Sequence, residues 1–198
     1  IKKYYGRDSV VIHPPVDVER FKPMENVSRR GYVITGRQTP YKCIDLAVAA
    51  CTKLVLPLEV IGRGPEHSKL VKMAGPSVNF VTNASDKKLA QCLAVAQAFI
   101  FPGVDDFGIS AVEALAAGTP VIAYKAGGAL DYIKPGETGS FFDNQTTESL
   151  EQALKNFQPK HYQSKKFQTA AKQYDAKKFH SSLAAFIQER LTKSGDNT

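Results

Sequence analysis

The chain has 198 residues, a formal net charge of +7 and three cysteines, with 43% apolar and 23% charged residues. That length and composition allow one sizeable core, and no run reaches the roughly 18 apolar residues that span a bilayer. Cys43, Cys51 and Cys92 are odd in number and lack CxxC spacing, which argues against a zinc ribbon or disulfide framework and for reduced thiols in the cytoplasm.

The chain begins at Ile1 rather than Met, so it reads as a piece of a longer protein. Its first residues, up to Gly6, have the form of a helix end stopped by glycine. Val10-Val11-Ile12 predicts a short strand, ended by Pro14-Pro15-Val16-Asp17, and the polar stretch to Arg30 reads as a linker or surface loop. Strands and helices then alternate. Tyr32-Val33-Ile34-Thr35 predicts a strand, 43–53 a helix, Leu58-Glu59-Val60-Ile61 a strand and 66–73 a helix. Val78-Asn79-Phe80-Val81 is a third strand, and Ser85 has the character of an N-cap for a helix that buries Leu89, Cys92 and Leu93. Ala98-Phe99-Ile100-Phe101 is a fourth strand, followed by a helix over 110–117 and a fifth strand at Pro120-Val121-Ile122-Ala123. A short helix follows Gly127-Gly128, Gly139-Ser140-Phe141-Phe142 is a sixth strand, and helices occupy 147–157 and most of the tail.

Short apolar strands alternating with helices predict an α/β fold, a doubly wound Rossmann-like parallel sheet of about six strands covered on both faces. Such sheets bind ligands beyond the carboxyl ends of the strands, at a topological switch point. The first loop to follow a strand carries Gly36, Arg37 and Lys42, and two cations beside a helix start suit a phosphate or diphosphate. It is no Walker loop, since GxxxxGK[ST] is absent, and Gly62-Arg63-Gly64 offers only GxG, too little for a nicotinamide fingerprint. The fourth loop is richer. Asp105-Asp106-Phe107-Gly108-Ile109 leads into a helix whose first amides are free for a ligand. Glu113 lies about one turn inside that helix, where a carboxylate can accept from the two neighbouring hydroxyls of a ribose. Asp105 stands just outside the helix, suited to hydroxyls on the far side of a phosphate held between the two acids.

The stretch 105–128 resembles the E-x7-E region of the family 4 retaining glycosyltransferases, in particular a mannosyltransferase-like group. The resemblance rests on Asp106-Phe107-Gly108, Val112-Glu113-Ala114, the run from Gly118-Thr119-Pro120 to Tyr124, and Gly127-Gly128-Ala129-Leu130. Gly36-Arg37, Tyr41-Lys42, Gly64-Pro65 and Gly136-Glu137-Thr138-Gly139 extend it over nearly the whole chain. It implies the two-domain GT-B fold, of which this would be the C-terminal, donor-binding half. On that reading 1–30 ends the acceptor domain and crosses between domains, 31–158 binds the nucleotide sugar, and 159–198 are C-terminal helices. The implied reaction moves a hexosyl group, mannosyl by subgroup resemblance, from a nucleotide-diphosphate sugar (GDP-mannose or a UDP-hexose) to an acceptor hydroxyl in glycan or glycolipid synthesis. Arg37 and Lys42 would neutralise the diphosphate, Glu113 would hold the ribose, and Gly36, Gly62, Phe107, Gly108 and Ile109 would line the donor. Asp105 stands where the family's first glutamate meets the sugar, one methylene shorter, and Cys43 stands where the family often has glycine. No metal or other cofactor is implied, and this part alone is expected to be inactive without its acceptor domain.

Two other classes remain open. A nucleotide-sugar epimerase or a phosphorylase would need more acid/base groups around the sugar, and His13, His67, His161 and His180 lie outside the predicted ligand loops. A non-catalytic nucleotide-sugar-binding module is favoured only by Asp105. From Pro159 on, eight Lys and Arg face three Asp and Glu. That charge fits basic helices with a solvated face, and peripheral contact with an anionic membrane at its inner side; without interleaved aromatics it does not suggest nucleic acid.

Overall fold

The computed structural model describes residues 1–24, 27–159, 162 and 164–195. Six parallel strands form one sheet: β1 (Tyr32–Thr35), β2 (Leu58–Ile61), β3 (Val78–Val81), β4 (Ala98–Phe101), β5 (Val121–Tyr124) and β6 (Gly139–Phe142). Their spatial order is β3-β2-β1-β4-β5-β6. The sheet therefore grows outward in both directions from β1, and the β1/β4 boundary is the switch point. After α1 (Lys2–Tyr5), the intervening helices are α2 (Ile44–Lys53), α3 (His67–Met73), α4 (Asp86–Val95), α5 (Ile109–Ala116), α6 (Ala129–Tyr132) and α7 (Thr147–Asn156). α8 (Ser164–Lys172) and α9 (Ala176–Gly195) complete the described chain.

Alternation along the strands builds two cores. Tyr32, Ile34, Ala98, Ile100 and Ile122 point to one face, where α2, α3 and α7 cover them with Val48, Leu70 and Leu150. Val33, Phe99, Phe101, Val121 and Ala123 point to the other, against α4, α5 and α8. Ser85 caps α4 as its sequence predicts, its hydroxyl accepting from the Lys88 amide at 3.2 Å. The Lys53–Glu151 ion pair, 2.9 Å long, ties α2 to α7 across the first face.

Two expectations need correction. Val10-Val11-Ile12 forms no strand: Val10 and Val11 are 60% and 75% exposed, and no neighbouring strand supplies a ladder. The stretch taken for a surface loop is anchored instead. Val16 and Phe21 are buried, the Val16 amide donates to the Tyr174 carbonyl at 2.9 Å, and the Ala176 amide returns a bond to Val16. The segment around Val16 thus packs on the α8–α9 junction. In the tail Phe167 and Tyr174 are buried in the core, while Leu183, Ile187 and Leu191 of α9 are exposed. Among the described residues, no helix is long and apolar enough to cross a membrane.

Candidate functional site

A cleft of about 660 Å³ opens at the carboxyl ends of β1 and β4, the place the topology selects. Arg37, Lys42, Asp105, Phe107, Gly108, Ile109 and Glu113 all line it, so residues far apart in sequence meet there. A larger cavity of about 980 Å³ lies elsewhere, between the segment 18–29 and α8, and gathers none of these residues.

Glycines shape the cleft walls. A Cβ on Gly62 would sit 2.2 Å from the Gly36 carbonyl oxygen, and one on Gly64 would sit 2.4 Å from that of Gln38. The loops after β1 and β2 therefore run backbone against backbone. Gly62 does not line the cleft; its place in the fold is this close approach. Gln38 is fully buried, donates to the Gly62 carbonyl at 2.8 Å and meets His67 Nδ1 through its Oε1 at 2.8 Å. The following 3₁₀ turn, Pro40–Lys42, brings Lys42 over the cleft and ends at Cys43, a non-glycine residue with φ of 50°.

The acidic loop is held the same way. The Gly128 amide donates to the Asp105 carbonyl at 2.9 Å, and Cβ atoms on Gly127 and Gly128 would approach the Asp105 and Asp106 carbonyl oxygens to 2.5 Å. The buried Tyr132 hydroxyl donates to the Phe107 carbonyl at 2.8 Å. Burial holds that phenol far above its ordinary pKa, with Asp105 adding to the effect, so it acts as a fixed donor. Gly108 takes φ of 89° and starts α5, leaving the first amides of that helix without intrahelical partners. Gly127 and Gly128 thus fasten the loop that lines the cleft.

Charge in the cleft is concentrated on few groups. Lys42 Nζ lies 2.5 Å from Asp105 Oδ2, with side-chain exposures of only 20% and 14%. Glu113, one turn inside α5, has its carboxyl pushed up to about 7, first by burial; Arg20 pulls it down, and Asp86 and Asp17 push it up. Arg20 itself is paired with Asp86. Arg37 also borders a second cavity of about 700 Å³ with Arg63, Gly64, Pro65 and His67.

Three features escape a reading of the chain alone. His13 packs 5.5 Å from the Phe107 ring and 5.2 Å from Tyr174, so it braces the acidic loop from the N-terminal segment. His67 borders the second cavity beside Arg37. His180 is exposed, and His161 lies outside the described residues. Gly118 and Thr119 belong to the most recognisable motif yet stand away from the cleft. Thr119 Oγ1 donates to the Leu93 carbonyl at 2.5 Å and accepts from Arg29 Nη1 at 2.6 Å, fastening α4 and the segment before β1 at the amino ends of the strands. Among the described residues, no group of three or more His, Cys, Asp or Glu is placed to hold a metal ion.

A family profile described as glycosyl transferases group 1 matches residues 16–174. The chain is similar to the D-inositol 3-phosphate glycosyltransferase of Nocardioides sp., 29% identical over 181 residues that cover 73% of this chain and 40% of that protein. The enzyme of the same name from Mycobacterium tuberculosis is 30% identical over 152 residues, covering 66% of this chain and 32% of its own. The chain thus spans well under half the length of these relatives. Among solved structures, sucrose-phosphate synthase from Thermosynechococcus elongatus superposes with a TM-score of 0.82 at 22% identity, covering 93% of this chain and 53% of that one. HepE of Anabaena, in complex with UDP and glucose, gives 0.76 at 20% identity, covering 90% and 56%. These structures share the fold, a Rossmann-like half of a GT-B glycosyltransferase.

Proposed function

Because the chain belongs to the glycosyl transferases group 1 family, we propose that it is the donor-binding part of a retaining glycosyltransferase that takes a hexosyl group from a nucleotide-diphosphate sugar to an acceptor hydroxyl. The observation that carries this reading is the convergence of Arg37, Lys42, Glu113 and the free amides at the start of α5 on one cleft at the switch point. The two cations and the helix start would stabilise the charge that develops on the departing nucleoside diphosphate. Glu113 would accept from the ribose hydroxyls. The neighbouring cavity edged by Arg63 and His67 gives the cleft room beyond the ribose for the base.

Mannose as the sugar rests on the resemblance of the motifs, and the donor proposed is GDP-mannose or a UDP-hexose. An acceptor-binding half outside this chain is supported by its share of the relatives' lengths, 40% and 32%. The exposed apolar positions of α9 among lysines suit a cytoplasmic enzyme that touches the inner face of an anionic membrane. Calorimetry against GDP, UDP, GDP-mannose and UDP-glucose tests the central claim. Binding weakened by Arg37→Ala and by Glu113→Ala is expected, and no binding of any nucleotide at millimolar concentration would sink it.

A further inference from the structure

Resting on the donor-site reading, we infer that His13 is a positioning residue of the donor site: its ring seats Phe107, and through Phe107 it aims the first amides of α5 at the diphosphate. Phe107 is buried, and three rings surround it, Tyr174 at 5.1 Å, His13 at 5.5 Å and Tyr132 at 5.7 Å between centroids. Tyr132 comes from α6 and Tyr174 from the α8–α9 junction, whereas His13 comes from the N-terminal segment. The next residue, Gly108, has no side chain to hold it and takes φ of 89°. It is seated by contact instead, since a Cβ there would lie 2.6 Å from Phe101 Cζ and from the Tyr132 hydroxyl. Ile109 is 44% exposed and anchors little. The direction of the amides that open α5 is therefore set by how Phe107 and Gly108 sit on these rings.

His13 can do this because its own backbone is stiff. Pro14 and Pro15 fix φ on the two residues after it and favour an extended His13. Val16 is buried and bonded in both directions at the α8–α9 junction, by its amide to the Tyr174 carbonyl and by its carbonyl to the Ala176 amide. Pro14 itself lines the cleft. A short, restricted stretch thus runs from a fixed anchor to the Phe107 ring, and before it Val10 and Val11 are exposed. A cavity of about 220 Å³, lined by Ile12, Tyr174 and Phe179 among others, touches the same imidazole. Cutting that ring back to a methyl would extend the cavity to Phe107 and leave the phenyl ring free to tilt. A donor would then have to order the loop as it binds, a cost that a seated Phe107 removes in advance.

Calorimetry with GDP and UDP on the whole chain tests this. His13→Ala is expected to weaken whichever diphosphate the wild type binds by about tenfold, and His13→Phe, which keeps a flat ring, to restore it to within about twofold. In a Phe107→Leu background, His13→Ala is expected to add no further loss, the sign that it acts through that ring. Val11→Ala, an exposed position on the same segment, is expected to leave affinity unchanged. Amide hydrogen exchange reports on the loop itself. The Ala111 and Gly128 amides, bonded to the Gly108 and Asp105 carbonyls, are expected to exchange faster in His13→Ala and at the wild-type rate in His13→Phe. Should His13→Ala fail to fold, His13→Leu, which fills the space without a flat ring, takes its place, with a smaller loss expected in the same direction. Wild-type affinity in His13→Ala, or a loss that His13→Phe does not restore, overturns the inference. Wild-type chain that binds no nucleotide at all overturns instead the donor-site reading beneath it.

Discussion

Replacing Glu113 by glutamine should make the protein more stable and less able to bind. The carboxyl is pushed from an ordinary 4.5 up to about 7, chiefly by burial against α5's surroundings. At roughly 1.36 kcal/mol per pKa unit, an ionised Glu113 carries a cost on the order of 3 kcal/mol, which its partial exposure trims to about 2. The sign follows from proton counting. The unfolded chain releases this proton near 4.5 and the folded one near 7, so the folded state holds more protons between those values. Wild-type stability from this group is full below the unfolded value and is lost as pH rises through about 7. Glutamine does not titrate. Glu113→Gln should therefore match the wild type at about pH 4 and exceed it by about 2 kcal/mol at about pH 8, a rise in Tm of about 4–8 °C for a chain of this size. Calorimetric melts at both pH values read this directly. The same variant should lose at least about tenfold in nucleotide affinity, because a neutral amide accepts more weakly from two hydroxyls than a carboxylate does. An equal Tm change at both pH values, or a fall at the higher one, would refute the reasoning and point to Arg20 as a stabilising partner of the charged form.

Wild-type affinity for a nucleotide sugar should rise about tenfold between about pH 6 and pH 8, as Glu113 ionises, since the ligand's diphosphate diester does not titrate there; isothermal titration across that range checks it, and a flat profile removes Glu113 from the ribose. Val55→Asn should stabilise by about 1 kcal/mol, because Val55 is a β-branched residue at φ of 53° with its side chain 73% exposed; an unchanged melting temperature contradicts that. Gly128→Ala should cost about 2 kcal/mol or more and nucleotide binding with it, since the new methyl would lie 2.5 Å from Phe107 Cα. Tyr132→Phe should cost about 1–2 kcal/mol by leaving the Phe107 carbonyl without its donor, and crystallography of the variant should show the acidic loop less ordered.

The sheet is legible in the chain because each strand is a compact apolar run closed by glycine or polar residues. The cleft is legible in part. Arg37, Lys42, Glu113 and the start of α5 announce themselves through loop position and charge, and they do meet. What sequence leaves hidden is the partnering of distant groups. Lys42 and Asp105 are 63 residues apart, and no local pattern joins them. Gly62, Gly118 and Gly127-Gly128 stand out as motif members, yet their positions are set by neighbouring backbone and side chains that only the packed structure reveals. His13 has nothing local to mark it, and it reaches the acidic loop because the segment around Val16 folds back on Tyr174. Val10-Val11-Ile12 errs the other way, carrying strand propensity with no strand beside it.

The backbone-to-backbone seating of the cleft loops has a further consequence. Gly36 against Gly62, and Asp105 and Asp106 against Gly127 and Gly128, set much of each loop's path through backbone alone. Lining residues can then be exchanged one at a time while the walls keep their shape. A step such as glutamate to aspartate at position 105 changes reach and pairing, and the scaffold does not register it. The shape of this site and the chemistry of its lining can thus be altered separately by substitution.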